Sequence, residues 1–320
     1  MTPGVDIVIV NWNSGALLGN SLRSIARDGG AHVASVTVID NGSADGSADV
    51  EVPGLAVDIV RTGQNLGFGK ACNLGAQRGT APYLLFFNPD AEMRPGALDE
   101  AVAFLEAPPG AAYGVCGIRL VDQFGHAHPH CARFPSWRTF LGSSLGLTRA
   151  LRRWFPPVPL LEFDHMSDRD VDHVMGAFYL IRRELFETLG GFDEDFFVYF
   201  EDLDLSYRVR RAGARIAYRA GPAAYHKQGG TSENVKAHRL FYSLHANIIY
   251  AWKHLGRIER LAVVAVTLGI EPVSRSVRAL FRRSKEELVF TLQGFGMLYR
   301  DLPRIIRQMG SIDRARRGKG

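Results

Sequence analysis

The sequence is short of cysteine, of long apolar runs and of the glycine signatures that mark the commonest nucleotide sites. Its three cysteines, Cys72, Cys116 and Cys131, stand in no metal-ligand spacing and form no even disulfide framework. Reduced thiols are the expectation, and zinc modules and stapled secreted folds are set aside. The longest later apolar stretch, Leu261 to Ile270, is about half of the ~20 residues that a spanning helix needs, so no transmembrane segment is expected. No basic segment precedes the apolar run Val5 to Val10. That run reads as a strand rather than as a signal peptide. Asn65-Leu66-Gly67-Phe68-Gly69-Lys70 is glycine-rich but has neither the Walker spacing nor the GxGxxG fingerprint. A P-loop NTPase and a dinucleotide dehydrogenase are therefore disfavoured.

What is present suits a globular enzyme. The 320 residues are 46% hydrophobic and 22% charged, enough for a substantial core and unlike a disordered or fibrous chain. The net charge of +5 is uneven. From Trp252 to Gly320 there are fifteen Lys and Arg against six Asp and Glu, a net of +9, which leaves −4 for the rest. A tail this basic suits an anionic surface. No nucleic-acid motif accompanies it, and the apolar residues interleaved with the arginines fit phospholipid better. Packing of the same apolar segments on the core as ordinary helices is the competing reading.

Strand and helix alternate along the first half. Val5 to Val10, Val33 to Ile39, Val57 to Arg61 and Tyr83 to Phe87 read as buried strands of a mostly parallel sheet. Leu17 to Arg27 and the segment from Gly69 through Gln77 have helical spacing, and Ala44 to Val50 reads as a short helix. Thr139 to Phe155 is expected as a basic amphipathic helix. Asp172 to Arg182 reads as a strand returning to the sheet, Leu203 to Ala212 as a helix, and Ile216 to Tyr218 as an edge strand. The chain is expected to be mostly helical after Ser232. The domain division drawn from this pattern is 1–250 for the α/β part and 251–320 for a basic helical extension. In such sheets ligands bind at the carboxyl ends of the strands. Four successive ends carry polar clusters: Asn11 and Asn13, Asp40 and Asn41, Asn65, and Asn88 and Asp90. Turn chemistry explains one such cluster more readily than four.

Three constellations carry chemistry. In Phe86-Phe87-Asn88-Pro89-Asp90 an acid directly follows a buried strand. It either holds a divalent cation against a diphosphate or caps a helix. Glu201-Asp202-Leu203-Asp204 places three carboxylates in four positions beside large apolar residues. Like charges near apolar walls raise one another's pKa, which suits a general base; an acidic first helical turn is the alternative. Asp204 fits pairing with Arg208 at i+4, and Asp202 fits catalysis. His226 precedes Gly229-Gly230-Thr231-Ser232, where an imidazole can meet a metal or a phosphate, or serve structure alone. Lys70 is within reach of a phosphate held by its own loop.

In this order the motifs resemble the inverting family 2 glycosyltransferases, and among them a bacterial rhamnosyltransferase-like branch. The matching stretches are Val8 to Asn13, Val38 to Ser43 with Asp45-Gly46-Ser47, Asn65 to Phe68, Asn88-Pro89-Asp90, Gly190 to Glu194, Glu201 to Leu205, and His226 with Gly229 to Ser232. Together they cover residues 5–250. The resemblance implies a GT-A fold with a C-terminal helical extension, a nucleotide-diphospho-sugar donor (dTDP or UDP) and Mg²⁺ or Mn²⁺. It implies a donor pocket formed by Val10, Asn11, Asn13, Asp40, Asn65, Gly67, Lys70, Asn88 and Asp90. Asp90 and His226 would hold the metal, and Asp202 would be the base. Trp12, Gly176, Ala177 and Glu201 would lie by the acceptor. Asn88 stands where many relatives carry an acid, which leaves fewer carboxylates for the cation. The implied reaction moves a sugar, rhamnose by resemblance to the branch, onto a glycan or polyprenyl-diphosphate-linked acceptor. The implied location is cytoplasmic and peripheral at the inner face of the membrane. A sugar nucleotidyltransferase would need a glycine-rich basic loop after the first strand, where Asn11-Trp12-Asn13-Ser14 stands. A non-catalytic glycan-binding relative would not need Asp90, Asp202 and His226.

Overall fold

The computed structural model describes residues 3–227 and 235–317. The Gly229-Gly230-Thr231-Ser232 stretch, singled out above, lies outside the described residues. The strands are β1 (Val5–Asn11), β2 (Val33–Asp40), β3 (Asp58–Arg61), β4 (Tyr83–Phe87), β5 (Ala91–Met93), β6 (Tyr113–Val121), β7 (Cys131–Ala132), β8 (Arg169–Val171), β9 (His173–Val174), β10 (Phe178–Arg182) and β11 (Arg215–His226). The α-helices are α1 (Ala16–Asp28), α2 (Phe68–Ala76), α3 (Ala97–Glu106), α4 (Trp137–Leu145), α5 (Arg183–Thr188) and α6 (Glu201–Arg211). They continue with α7 (Lys236–His254), α8 (Arg257–Ala265), α9 (Glu271–Phe281) and α10 (Lys285–Arg317).

The chain divides into two compact units. The first comprises Met1–Phe134, Pro159–Glu194 and Glu201–Thr231. Its nine-stranded sheet runs β3-β2-β1-β4-β10-β6-β11-β5, with β8 also on β11. The strands β3, β2, β1 and β4 are mutually parallel, as are β6 and β11. Strand β10 lies antiparallel between β4 and β6. Alternation along β1 explains the two-sided burial, since successive side chains of a strand face opposite ways. Val5, Ile7 and Ile9 pack with Leu18, Leu22 and Leu98 on one face. Val8 and Val10 pack with Phe86, Phe192 and Leu205 on the other. Asp6, the one charge in the run, accepts from Arg183 Nη2 at 2.7 Å and from the Ala81 N–H at 2.8 Å. This buried charge is therefore fully paired, as low-dielectric surroundings require.

Three local expectations change. Ala44 to Val50 is a set of bends rather than a helix, because its polar side chains are tied to the β1 turn. Asp45 Oδ2 accepts from the Gly15 N–H at 2.8 Å, and Asn13 Oδ1 accepts from the Ala44 N–H at 2.8 Å. Such side-chain to backbone bonds compete with helical ones. The helix expected over 139–155 stops at Leu145, where Gly146 takes φ 71°, the left-handed ending that glycine favours. The strand expected only at 216–218 runs from Arg215 to His226 and is not at the edge: β6 flanks it on one side, with β5 and β8 on the other. A register shift between Arg219 and Ala223 absorbs Gly221-Pro222, since a bulge accommodates a proline that a regular ladder rejects. The resumed strand sets His226 opposite Ala91.

The second unit comprises Pro135–Val158, Asp195–Phe200 and Ser232–Gly320. Its interior is an apolar cluster of Leu240, Leu244 and Ile248 from α7 with Phe295, Leu298 and Ile305 from α10. A π-helical turn, Val266–Ile270, joins α8 to α9. Among the described residues no helix is long and apolar enough to cross a membrane.

Candidate active site

The polar residues at the ends of β1 and β2 form one buried network. The Asn11 side-chain amide donates to Asp40 Oδ1 (3.1 Å), Ser43 Oγ (3.1 Å) and Ser47 Oγ (2.9 Å). Its carbonyl oxygen accepts from the Ser14 hydroxyl. Asn11 is fully buried, so its side chain organises the turn that surrounds it. Asp40 is buried in the same network, and Val10 lies just behind it. Asn13 holds φ 48°, a left-handed conformation that asparagine tolerates better than most side chains. Trp12 is half-buried beside it.

Asn41, which the sequence reading passed over as a site residue, shapes the next loop. Its amide donates to Asn65 Oδ1 (3.0 Å) and the Gly67 carbonyl (3.1 Å), and its own carbonyl accepts from the Leu66 N–H (2.8 Å). Asn65 Oδ1 also accepts from the Gly67 N–H at 2.9 Å. Gly42 is required in this arrangement: at φ 78° a Cβ there would stand 2.8 Å from the Gln64 backbone. Lys70, in the first turn of α2, is half-exposed with Nζ 3.8 Å from Glu194 Oε2. Thus Asn11, Asp40, Asn41, Asn65 and Gly67 form one hydrogen-bonded rim, and Lys70 stands outside that network.

The strand ends at the centre of the sheet carry the ionisable groups. Asp90 sits one residue before β5 and caps no helix, since α3 begins at Ala97. Its Oδ1 lies 3.3 Å from His226 Nε2, and the two residues are only 7% and 4% exposed. The Lys227 N–H donates to the Asp90 carbonyl at 3.0 Å, which ties the end of β11 to this loop. Asn88 is half-buried, and its N–H donates to the Ala177 carbonyl at 3.2 Å. Gly176, just before Ala177, donates its N–H to Asp202 Oδ2 at 2.8 Å. One backbone hydrogen bond, Asn88 to Ala177, and one from the Gly176 N–H to the Asp202 carboxylate therefore connect the loop that carries Asp90 to Asp202. The expected single strand 172–182 is interrupted at this point, between β9 and β10. The interruption frees the Gly176 N–H from the ladder to meet the carboxylate.

Asp202 lies in the first turn of α6, its carboxylate partly open to solvent at 19% exposure. Its Oδ1 accepts from the Leu203 N–H at 2.8 Å. Asp204 pairs with Arg208, whose Nε donates to Asp204 Oδ2 at 2.8 Å, as the i+4 spacing indicated. Glu201 is 5% exposed, and its Oε2 is buried without a partner. Burial first, then the Asp202 and Asp204 charges, push its carboxyl well above the ordinary range. The buried environment of Glu201 thus favours its protonated form. Tyr199 and Phe200, immediately before it, hold φ 71° and 68°. Non-glycine residues in that region cost on the order of 1–3 kcal/mol each and concentrate at functional sites.

The Asp90–His226 pair suits a hard divalent cation in its donor chemistry: one carboxylate, one imidazole, and a buried His226 Nδ1 with no partner. No cluster of three His, Cys, Asp or Glu side chains is assembled among the described residues. A cation held by this pair takes its other ligands from outside those side chains, and diphosphate oxygens are of matching hardness. Sequence reasoning missed His173, whose Nε2 faces Asp202 Oδ2 at 3.7 Å. Nothing in its local pattern marks it, because β9 brings it there through the tertiary fold. A cleft of about 470 Å³, lined by Asn73, Arg183, Glu187 and Glu194 among others, contains none of the strand-end residues.

The sheet, packed on both faces and with acidic and imidazole groups at its strand ends, has the GT-A fold. The fold matches two solved glycosyltransferase structures. One is the mannosyltransferase PcManGT from Pyrobaculum calidifontis in complex with GDP-Man and Mn²⁺, with TM-score 0.54 and 17% identity over 98% of this chain and 85% of that one. The other is GalNAc-T7 with UDP, GalNAc and Mn²⁺, with TM-score 0.53 and 18% identity over 82% of this chain and 54% of that one. Residues 3–240 match the family described as glycosyltransferase like family 2, and the chain belongs to that family and is a glycosyltransferase. It is 30% identical over 311 residues to the N-acetylglucosaminyl-diphospho-decaprenol L-rhamnosyltransferase of Mycobacterium tuberculosis, covering 92% of this chain and 99% of the relative. It is also 33% identical over 138 residues to the rhamnosyltransferase WbbL of Escherichia coli, covering 42% of this chain and 48% of that one.

Proposed function

We propose that this glycosyltransferase moves L-rhamnose from dTDP-rhamnose to a hydroxyl of a polyprenyl-diphosphate-linked amino sugar, with inversion and in one displacement. The observation that carries the mechanism is the link from Asp202 through the Gly176 N–H, and from the adjacent Ala177 carbonyl to Asn88, into the loop that carries Asp90 and its partner His226. The near full-length similarity to a rhamnosyltransferase acting on a decaprenyl-diphosphate sugar supports the substrate classes.

Asp202 takes the proton of the acceptor hydroxyl as that oxygen attacks the anomeric carbon. Gly176 and Leu203 N–H groups hold its carboxylate for this role. The Asn41-organised rim, with Asn65 and Gly67, receives the nucleoside side of the donor. Asp90 and His226 would hold Mg²⁺ or Mn²⁺ beside the diphosphate, and such an ion supplies neutralisation of the leaving group's charge. The two solved neighbours contain Mn²⁺ with a nucleotide sugar or nucleotide, which supports this reading. The sugar and acceptor lie where Trp12, Gly176, Ala177 and Glu201 can border them.

The helical unit is read as a peripheral contact with the inner, anionic face of a membrane, where a polyprenyl acceptor resides. Its exposed large apolar residues include Ile258, Val273, Val277, Leu280, Phe281 and Ile306, accompanied by Arg278, Arg282, Arg283 and Arg307. Exposed apolar side chains among arginines suit an interfacial position.

A panel of dTDP-, UDP- and GDP-sugars tests the donor assignment by thermal stabilisation, since a bound ligand raises the melting temperature by mass action. The largest shift is expected with dTDP-rhamnose and Mn²⁺. A larger shift with a UDP- or GDP-sugar overturns the rhamnose assignment while leaving the enzyme class intact.

A further inference from the structure

Behind Asp202 stands a buried line of three polar side chains from three elements. Tyr179 on β10, Ser206 on α6 and His173 on β9 are each nearly inaccessible. The Tyr179 hydroxyl lies 3.1 Å from Ser206 Oγ, and Ser206 Oγ lies 2.9 Å from His173 Nδ1. His173 Nε2 then faces Asp202 Oδ2 at 3.7 Å.

The direction of the line follows from what each group must do. A buried phenol has to donate its hydrogen, and Ser206 Oγ stands within reach to accept it. The serine hydroxyl then gives its own hydrogen to His173 Nδ1. That fixes the tautomer with hydrogen on Nε2, the nitrogen nearest the carboxylate. The opposite tautomer would turn a nitrogen lone pair toward an anion. We propose that His173 is a positioning residue for the base: the Tyr179–Ser206–His173 line presents an N–H to Asp202, keeping its carboxylate ionised and in place to accept the acceptor's proton. This inference rests on the reading of Asp202 as the base.

The surroundings favour the same role. Burial holds the His173 imidazole below its ordinary pKa despite the opposing pull of Asp202 and Asp172, so a neutral imidazole faces the carboxylate at 3.7 Å. Burial also keeps the Tyr179 hydroxyl protonated. The Asp202 charge also acts on Glu201 on its own helix, beside Asp204, and on Cys72 on α2. Arg208, on the same helix, hydrogen-bonds Asp204 rather than Asp202. Removal of the His173 N–H takes away a neutral donor among acidic neighbours, which disfavours the charged form of Asp202.

The experiment compares wild type with His173→Phe, His173→Gln and Ser206→Ala in the full-length protein. Transfer from dTDP-rhamnose to a synthetic N-acetylglucosaminyl-diphosphoryl lipid is followed against pH. The Asp202 carboxyl is titrated in parallel by ¹³C NMR, its signal identified by loss in Asp202→Asn, so that one readout needs no substrate. In His173→Phe the acid limb and the carboxyl titration should both move to higher pH by about one unit. Its kcat should fall about ten-fold with the donor KM unchanged. His173→Gln, which retains a side-chain N–H, should recover most of both. Ser206→Ala, which keeps the packing, should shift the titration in the same direction by less. A His173→Phe carboxyl titration that superposes on wild type overturns the proposal. An active Asp202→Asn enzyme removes the base assignment instead, so the two failures are distinguishable.

Discussion

The two units of this chain treat polarity in opposite ways. In the α/β unit polar side chains are buried and paired with one another: Asn11 with Asp40, Ser43 and Ser47, Asn41 with Asn65 and Gly67, Asp90 with His226, although His226 Nδ1 keeps no partner among the described residues. In the helical unit large apolar side chains stay exposed, with Phe281 and Ile258 each at 84%. A satisfied buried network fixes one geometry, which a chemical step needs. An exposed apolar surface fixes nothing alone, and its free energy is realised only against another phase or partner. One unit thus buries paired polar groups, and the other leaves apolar ones exposed.

Substitutions can break this contrast from either side. Asp90→Ala removes the only carboxylate of the Asp90–His226 pair and leaves a buried imidazole facing a gap. Transfer should fall by about a hundred-fold or more, with loss of the Mn²⁺-dependent part of donor stabilisation. A metal-independent wild-type enzyme, fully active after EDTA treatment, would remove Asp90 and His226 from their roles. The paired change Leu280→Glu and Phe281→Glu acts on the other unit. It should weaken co-sedimentation with anionic phosphatidylglycerol vesicles about ten-fold or more, because burying each such side chain in an apolar phase is worth roughly 1.5–3 kcal/mol. Activity on a short, water-soluble acceptor should be unaffected. Unchanged vesicle binding would show that these residues do not make the contact.

The smallest effect concerns Glu201. Its folded-state pKa is raised, so the folded form retains a proton that the unfolded chain loses as pH rises past the ordinary value of 4.5. Stability is therefore lost as pH rises above that value and is fully present below it. Glu201→Gln, neutral in both states, should be more stable than wild type at pH 8, and the difference should vanish near pH 4. Denaturant midpoints at the two pH values check this, and equal differences at both would contradict it.

The sequence revealed different parts of the molecule unequally. The run Val5 to Val10 and the four polar strand ends could be read locally, because a buried parallel strand and the turn that ends it leave their marks within ten residues. The proposed grouping of Asp90, Asp202 and His226 came from the order of short motifs, not from any pattern within one of them. What stayed hidden depends on register and long-range contact. The local pattern marks a strand only over Ile216 to Tyr218, although β11 continues through the Gly221-Pro222 bulge to deliver His226. Ser43 and Ser47 read as helix or turn residues, although they close the Asn11 network across more than thirty positions. His173 sits in a two-residue strand with no periodicity to betray it. The helical unit collects Pro135–Val158 and Asp195–Phe200 from within the α/β half of the sequence, an association that no local signal records.

The account turns on whether the carboxylate at 202 performs the chemistry beside a donor bound independently of it. Asp202→Asn preserves size and keeps one oxygen to accept from either the Gly176 or the Leu203 N–H, while losing the capacity to take a proton. The decisive measurement is the transfer rate of this variant together with its thermal stabilisation by dTDP-rhamnose and Mn²⁺. The expected result is a rate loss of about a thousand-fold or more with the donor-induced shift intact. Transfer at near wild-type rate by Asp202→Asn would contradict the account.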